Sequence, residues 1–320
     1  MPTNQKTIIA YLNDYLDYLE IEKGLASESQ KNYARFLQKF FHWLEENNLT
    51  ELQPKSLTDE IVWRYRLYLS RQQHGHDQPG LKKSTQNYYL IALRSLLSYF
   101  IEKDITSLPP DKIKLAREKQ QHQVTFLKLD QIEKLFQGPD LSTLAGLRDR
   151  AILESLFSTG LRVAELTRLD CDQLRIKPLT NFLEISVSGK GGKVRTVYFS
   201  ERAIQALRAY IAARKDMDPA LFINYSLGRG DGTTRRLTVR AIEDIVKKYT
   251  KLAGLPIMTS PHTLRHSYAT DLLTQGVDLR LVQEFLGHSN IATTQIYTHV
   301  TNKQLSDIHQ KFHGGKQIKN

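Results

Sequence analysis

The chain has 320 residues, 40% hydrophobic and 25% charged, which is too apolar for a disordered polypeptide and long enough for about two domains with a core each. No apolar run approaches the ~18–20 residues of a spanning helix and Met1 to Lys6 carries no apolar leader, so neither membrane insertion nor secretion is expected, and the location expected is cytoplasmic. Forty-five Lys and Arg against 34 Asp and Glu leave +11, which points to a polyanionic partner, nucleic acid first, while the single Cys171 excludes an internal disulfide framework and a multi-cysteine metal site.

The first ~105 residues read as four amphipathic helices. Ile8, Leu12, Tyr15 and Leu19 recur at three- and four-residue steps, with Gly24 as a stop. Ser27 and Gln30 stand in capping-box spacing ahead of the stripe Tyr33, Phe36, Leu37, Phe40 and Leu44. A third helix is expected over 58–72 (Ile61, Tyr65, Leu69). After a loop rich in Gly, Pro and polar residues, a fourth begins near Ser84 with Tyr89, Leu93, Leu96 and Phe100. Short connections between such helices predict a compact bundle over 1–108. Pro109-Pro110 forbids helix continuation and 112–123 is almost wholly polar and basic, so 109–124 reads as a solvated linker.

From Thr125 to Asn320 the pattern is mixed. Helices are expected at 129–137, 141–158 and 162–169, then two strands at 182–187 and 194–199 around the glycine-rich turn 188–193. Further helices are expected at 201–213, 238–252, 261–275, 278–286 and 291–298, and a last amphipathic one near 302–311 with Leu305 and Ile308. The fold class predicted for the whole chain is mainly α with a small antiparallel sheet: a helical N-terminal domain, then an α+β domain at 125–320.

Four places carry chemistry. At Thr259-Ser260-Pro261-His262-Thr263-Leu264-Arg265-His266, Ser260 is placed to cap a helix and Pro261 to open it, so His262 falls in the first turn. Free N–H groups there favour an anion, and His262 and Arg265, three apart, can address one phosphate. A plain surface helix start is the alternative. His262 and His266 also have zinc-ligand spacing, but a metallohydrolase helix needs Glu where Thr263 stands. In Thr159-Gly160-Leu161-Arg162-Val163-Ala164-Glu165, Gly160 ends one helix and Arg162 opens the next. Glu165 can orient a neighbouring cation or imidazole, or simply form an i,i+3 ion pair. Leu286-Gly287-His288 closes another helix, and Tyr297 lies on the following one; fifteen tyrosines in the chain make a buried core role the ordinary one. Lys190 sits at the tip of the glycine-rich turn, where lysines are commonly just solvated.

Taken in order, Arg162 in Thr-Gly-Leu-Arg-x-x-Glu-Leu, Lys190 in its turn, His262-x-x-Arg265, Leu-Gly-His288 and Tyr297 nine residues later resemble the tyrosine recombinase/integrase family. The runs Ser260-Pro-His-Thr-Leu-Arg-His-Ser-Tyr-Ala-Thr and Leu-Gly-His-Ser-Asn-Ile-x-Thr-Thr-x-x-Tyr are similar to its Xer-type branch, and the likeness extends over essentially the whole chain. The resemblance implies a core-binding N-terminal domain, a linker and a catalytic domain. It implies site-specific recombination of double-stranded DNA through a 3′-phosphotyrosyl intermediate, by a homo- or hetero-tetramer of protomers on two DNA sites. It implies no cofactor and no metal ion. Tyr297 would be the nucleophile and Arg162 and Arg265 the clamp on the phosphate. Lys190 would protonate the departing 5′-oxygen, and His262 and His288 would assist proton movement, with Glu165 in support. The last helix would dock on a neighbouring protomer. Xer-type resolution of chromosome or plasmid dimers is the role this favours. A phage, transposon or integron-type integrase is the alternative within the family, and a non-catalytic DNA-binding protein on the same scaffold the distant one. Candidate DNA contacts are Arg64, Arg66, Lys82, Lys83, Arg240 and Lys247, through which binding would weaken steeply with salt. A helix with a solvated basic face is the alternative for each.

Overall fold

The computed structural model describes residues 6–71, 80–116, 125–176, 180–189, 192–225, 235–256 and 259–287. The chain divides into two compact units, Met1–Gln121 and His122–Asn320.

The first unit is built from α1 (Leu12–Ile21), α2 (Ser27–Glu46), α3 (Asp59–Arg71) and α4 (Lys83–Glu102). The expected stripes are its core: Tyr15, Leu37, Phe40, Leu44, Tyr65, Leu69, Leu93, Leu96 and Phe100 are all buried. α4 packs against α1, α2 and α3. The Tyr15 hydroxyl, buried with its ring, donates to Ser95 Oγ at 2.8 Å, so the buried phenol keeps a partner. The expected capping box on Ser27 is not formed. Ala26 takes the cap position, and the Gln30 side-chain amide reaches back to the Leu25 carbonyl at 2.7 Å instead.

The second unit holds α5 (Leu129–Phe136), α6 (Leu144–Thr159), α7 (Val163–Thr167), α8 (Glu201–Ala213), α9 (Val239–Leu252), α10 (Pro261–Thr274) and α11 (Leu279–Leu286). Its hairpin is β1 (Leu183–Ser188) and β2 (Val194–Phe199), antiparallel, with Leu183 opposite Phe199 and Ser188 opposite Val194. The mainly helical class with a small antiparallel sheet is therefore the observed one. α6 starts three residues later than its composition predicts. Asp140 and Ser142 close a turn, and Thr143 caps the helix by accepting from Gly146 N at 3.0 Å. β1 starts one residue later, leaving Phe182 exposed beside Tyr198. The helices expected at 291–298 and 302–311 lie outside the described residues.

α6 is the axis of this unit, packed against α5, α8, α9, α10 and β2. Buried on nearly every side, it must satisfy its charges internally. Arg148 bonds Asp149 and the Ile223 carbonyl, and the Tyr249 hydroxyl of α9 donates to Asp149 Oδ2 at 2.9 Å. Glu154, 3% exposed, takes Arg150 and Arg202. A helix pinned this way holds the position of its own C-terminus, where the site begins.

Candidate functional site

α6 ends at Gly160, which adopts φ +59° as the left-handed cap. A Cβ here would lie 2.5 Å from the Tyr268 ring, so both backbone and space require glycine. Two residues later Arg162 caps α7, and its partly exposed guanidinium leaves the corner. Nη1 donates to Glu165 Oε1 at 2.9 Å and Nη2 to the Gly287 carbonyl at 3.2 Å, while its backbone N donates to Glu165 Oε2 at 2.9 Å. The i,i+3 ion pair of the simpler reading is therefore present, and the second guanidinium nitrogen reaches the far end of α11.

α10 opens as expected. Ser260 is its N-cap, accepting from Thr263 N, and Pro261 is the first helical residue. Arg265, one turn in, is 2% exposed, and its guanidinium bonds the Gly160 carbonyl and, at 2.6 Å, the Leu286 carbonyl. Arg162 and Arg265 are thus tied to consecutive carbonyls, Gly287 and Leu286, at the C-terminal end of α11. Helix C-termini gather partial negative charge, and two guanidiniums are suited to answer it.

His262 stands exposed at the start of α10. Its imidazole pKa is lowered from the ordinary value, first by desolvation against its neighbours and then by the positive charges of Arg265 and Arg162. The His266 ring stacks on it with centroids 5.4 Å apart. Burial, His262 and Arg265 bring the His266 pKa down to about 4, so both rings are neutral at neutral pH. Among the described residues no three His, Cys, Asp or Glu side chains group as metal ligands.

Glu165 is 6% exposed, and burial by itself would raise its carboxyl pKa. The Arg195 fork, the Arg162 backbone N–H and the Arg162 guanidinium outweigh burial and hold it at about 2. Arg195 is the residue that sequence reasoning missed. It occupies β2 and meets Glu165 with two bonds, Nη1 to Oε1 at 2.9 Å and Nη2 to Oε2 at 2.8 Å. A signal for it exists in the strand: Arg195 alternates in phase with the buried Val197 and Phe199, and a cation on a core-facing side needs a carboxylate.

Of the expected site residues, the structure brings Arg162, Glu165, His262 and Arg265 together around the ends of α6 and α11 and the start of α10. Lys190, His288 and Tyr297 lie outside the described residues. Gly189 and Gly287, the neighbours of the first two, border the same cluster: a Cβ at Gly189 would stand 3.4 Å from Glu165 Oε1, and one at Gly287 2.7 Å from Arg195 Cδ.

The candidate DNA contacts do not share one setting. Arg64 is exposed, donates to Asn47 Oδ1 at 3.0 Å and covers the Trp43 ring at 6.0 Å. With Trp43, Tyr68 and Arg71 it lines a shallow groove of the first unit. Arg66 lies over the exposed Trp63 ring, also at 6.0 Å. Lys82 and Lys83 are exposed at the start of α4. On α9, Arg240 pairs with Asp244 at 3.4 Å and Lys247 is exposed.

The model of the phage integrase family matches residues 125–304, and that of the phage integrase N-terminal SAM-like domain matches 12–104. The chain is 33% identical over 312 residues to a tyrosine recombinase XerC of Thermodesulfovibrio yellowstonii, covering 95% of this chain and 96% of that one. It is 36% identical over 310 residues to a tyrosine recombinase XerD of Listeria innocua, covering 94% and 98%. Among solved structures, the XerH site-specific recombinase in a post-cleavage complex with palindromic difH superposes with TM-score 0.70 at 23% identity, over 93% of this chain and 83% of that one. The Tn1549 transposon integrase with transposon right end DNA gives 0.69 at 18%, over 94% and 99%. At these identities both likenesses bear on the fold.

Proposed function

The chain belongs to the phage integrase family and is a tyrosine-type site-specific DNA recombinase of the Xer kind, and on that premise we propose that Tyr297 attacks a phosphate held by Arg162 and Arg265. The phenol oxygen bonds to phosphorus as the bond to the 5′-oxygen breaks, leaving a 3′-phosphotyrosyl link and a free 5′-hydroxyl. Lys190 gives its proton to the departing oxygen. The phenol proton passes to His262 or His288, and a neutral His262 can accept it. Charge that builds on the non-bridging oxygens is met by the two guanidiniums and the first turn of α10. Attack by a different 5′-hydroxyl reverses each bond change and joins new strands. The ester energy is kept in the covalent link, so the scheme calls for neither ATP nor a cofactor.

The observation that carries this reading is the tether of Arg162 and Arg265, more than 100 residues apart in sequence, to the adjacent carbonyls of Gly287 and Leu286. Those carbonyls immediately precede His288, and Tyr297 follows within ten residues. DNA is the partner, and recombinases of this family assemble as multimers on it. We further propose four protomers on two sites, with 1–108 clamping the duplex, 109–124 as linker and 125–320 catalytic. The contacts from the N-terminal and α9 surfaces would be Arg64, Arg66, Lys82, Lys83, Arg240 and Lys247. Resolution of chromosome or plasmid dimers in the cytoplasm is the role proposed.

The test is covalent trapping on nicked suicide DNA carrying the protein's own recombination site. Wild-type protein should yield a detergent-resistant adduct, and Tyr297→Phe should yield none while binding DNA with near-wild-type affinity. An undiminished adduct from Tyr297→Phe would put the nucleophile elsewhere.

A further inference from the structure

The Glu165–Arg195 pair is nearly sealed from water, its side chains 6% and 11% exposed. The hydrogen bonds recorded outward from the pair reach two parts of the site, Arg162 and the end of α11. Glu165 takes the Arg162 backbone N–H and guanidinium. Arg195 sends Nε to the Phe285 carbonyl at 3.2 Å, in the last turn of α11. Two glycines border it: a Cβ on Gly287 would collide with Arg195 Cδ at 2.7 Å, and one on Gly189 would stand in van der Waals contact with Glu165 Oε1 at 3.4 Å and Arg195 Nη1 at 3.6 Å. The pair therefore bonds Arg162 itself and borders the residue before Lys190 and the residue before His288. A buried ion pair adds little stability over well-packed apolar side chains, but it fixes direction, because each bond is short and angular.

We propose that Arg195, through its fork on Glu165, is a positioning residue that sets Arg162, the β1–β2 turn carrying Lys190 and the end of α11 leading into His288 relative to one another. The proposal rests on the reading of those three residues as site residues. Arg195 itself touches no substrate. Its effect belongs to the rate of strand cleavage rather than to DNA affinity, since misplacement by about 1 Å costs on the order of 10²-fold in rate.

The experiment compares wild type, Arg195→Lys, Arg195→Gln, Glu165→Gln and the double Glu165→Gln/Arg195→Gln variant. Each is measured for DNA affinity and for single-turnover adduct formation per folded molecule. Arg195→Lys keeps the charge but loses the fork; it should cut about 10²-fold more slowly with affinity within about twofold of wild type. Glu165→Gln leaves the buried Arg195 guanidinium without its carboxylate, and Arg195→Gln leaves buried Glu165 with Arg162 as its only cation among the described residues. The double variant should therefore cut no more slowly than the worse single variant, instead of showing the product of both losses. Hydrogen–deuterium exchange of the DNA-free Arg195→Lys protein should rise together in peptides spanning the β1–β2 turn and the end of α11. Wild-type cutting per folded molecule by Arg195→Lys, or multiplying losses, would overturn the proposal. Unchanged exchange in both peptides would overturn it too. If wild-type protein forms no adduct, the reaction assigned above fails, and the exchange measurement alone decides the role of Arg195.

Discussion

At the scale of single residues, the site is an arrangement of cations around few anions, and Glu165 is the anion that makes it foldable. Two buried or half-buried guanidiniums next to each other repel; a carboxylate between Arg162 and Arg195 offsets this. Its depressed pKa makes a definite statement about stability. The group is ordinary at 4.5 when unfolded and about 2 when folded. Its stabilisation is therefore fully present above pH 4.5 and is lost as pH falls through that window towards 2. Denaturant unfolding of wild type and Glu165→Gln between pH 5 and pH 2.5 isolates this group, because every other carboxylate titrates in both proteins. Wild type should lose about 2 kcal/mol more than the variant across the window. Parallel curves would show that Glu165 is not held by its arginines. His262 and His266 act in the same sense: their pKa values are also lowered, so the stability they contribute is present at neutral pH and is lost as pH falls and the rings take up protons.

At the scale of elements, three helix ends meet and glycine makes the meeting possible. Gly160 supplies both the left-handed turn that ends α6 and a carbonyl for Arg265. Gly160→Ala would strain the backbone and drive a methyl group into Tyr268, so it should destabilise the protein by about 1–3 kcal/mol. The denaturant midpoint reads this, and an unchanged midpoint would contradict the close approach. The start of α10 was legible because Ser-Pro at a cap is a local signal, and the helical stripes of the first unit were legible because periodicity is local too. The start of α6 was not. Asp140, Ser142 and Thr143 compete for the backbone with side-chain hydrogen bonds, and only one of several polar residues takes the cap. The Ser27 box failed for the same reason: Gln30 found the Leu25 carbonyl instead of closing on the helix start. Arg162, Glu165, His262 and Arg265 were found from their order along the chain. Arg195 was passed over because its partner lies 30 residues away across the fold, and a lone arginine in a strand reads as solvated unless the burial of its face is considered.

At the scale of the whole molecule, the +11 balance is spent unevenly. Many basic groups of the second unit are turned inward onto carboxylates and carbonyls, as Arg148, Arg195 and Arg265 are. Others, such as Lys82, Lys83 and Lys247, remain at the surface. The inward ones shape a site and the outward ones are free to meet a polyanion. The central claim joins the two: a long polyanion is drawn to the protein, and one of its phosphates is singled out by Arg162 and Arg265. The most direct measurement replaces the scissile phosphate with a neutral methylphosphonate, which removes the charge the guanidiniums are said to meet. On ordinary DNA, Arg162→Ala and Arg265→Ala should each cut roughly 10²–10³-fold more slowly than wild type, and on methylphosphonate DNA that deficit should shrink to within about tenfold. An equal deficit on both substrates would mean that the arginines do not hold the reacting phosphate.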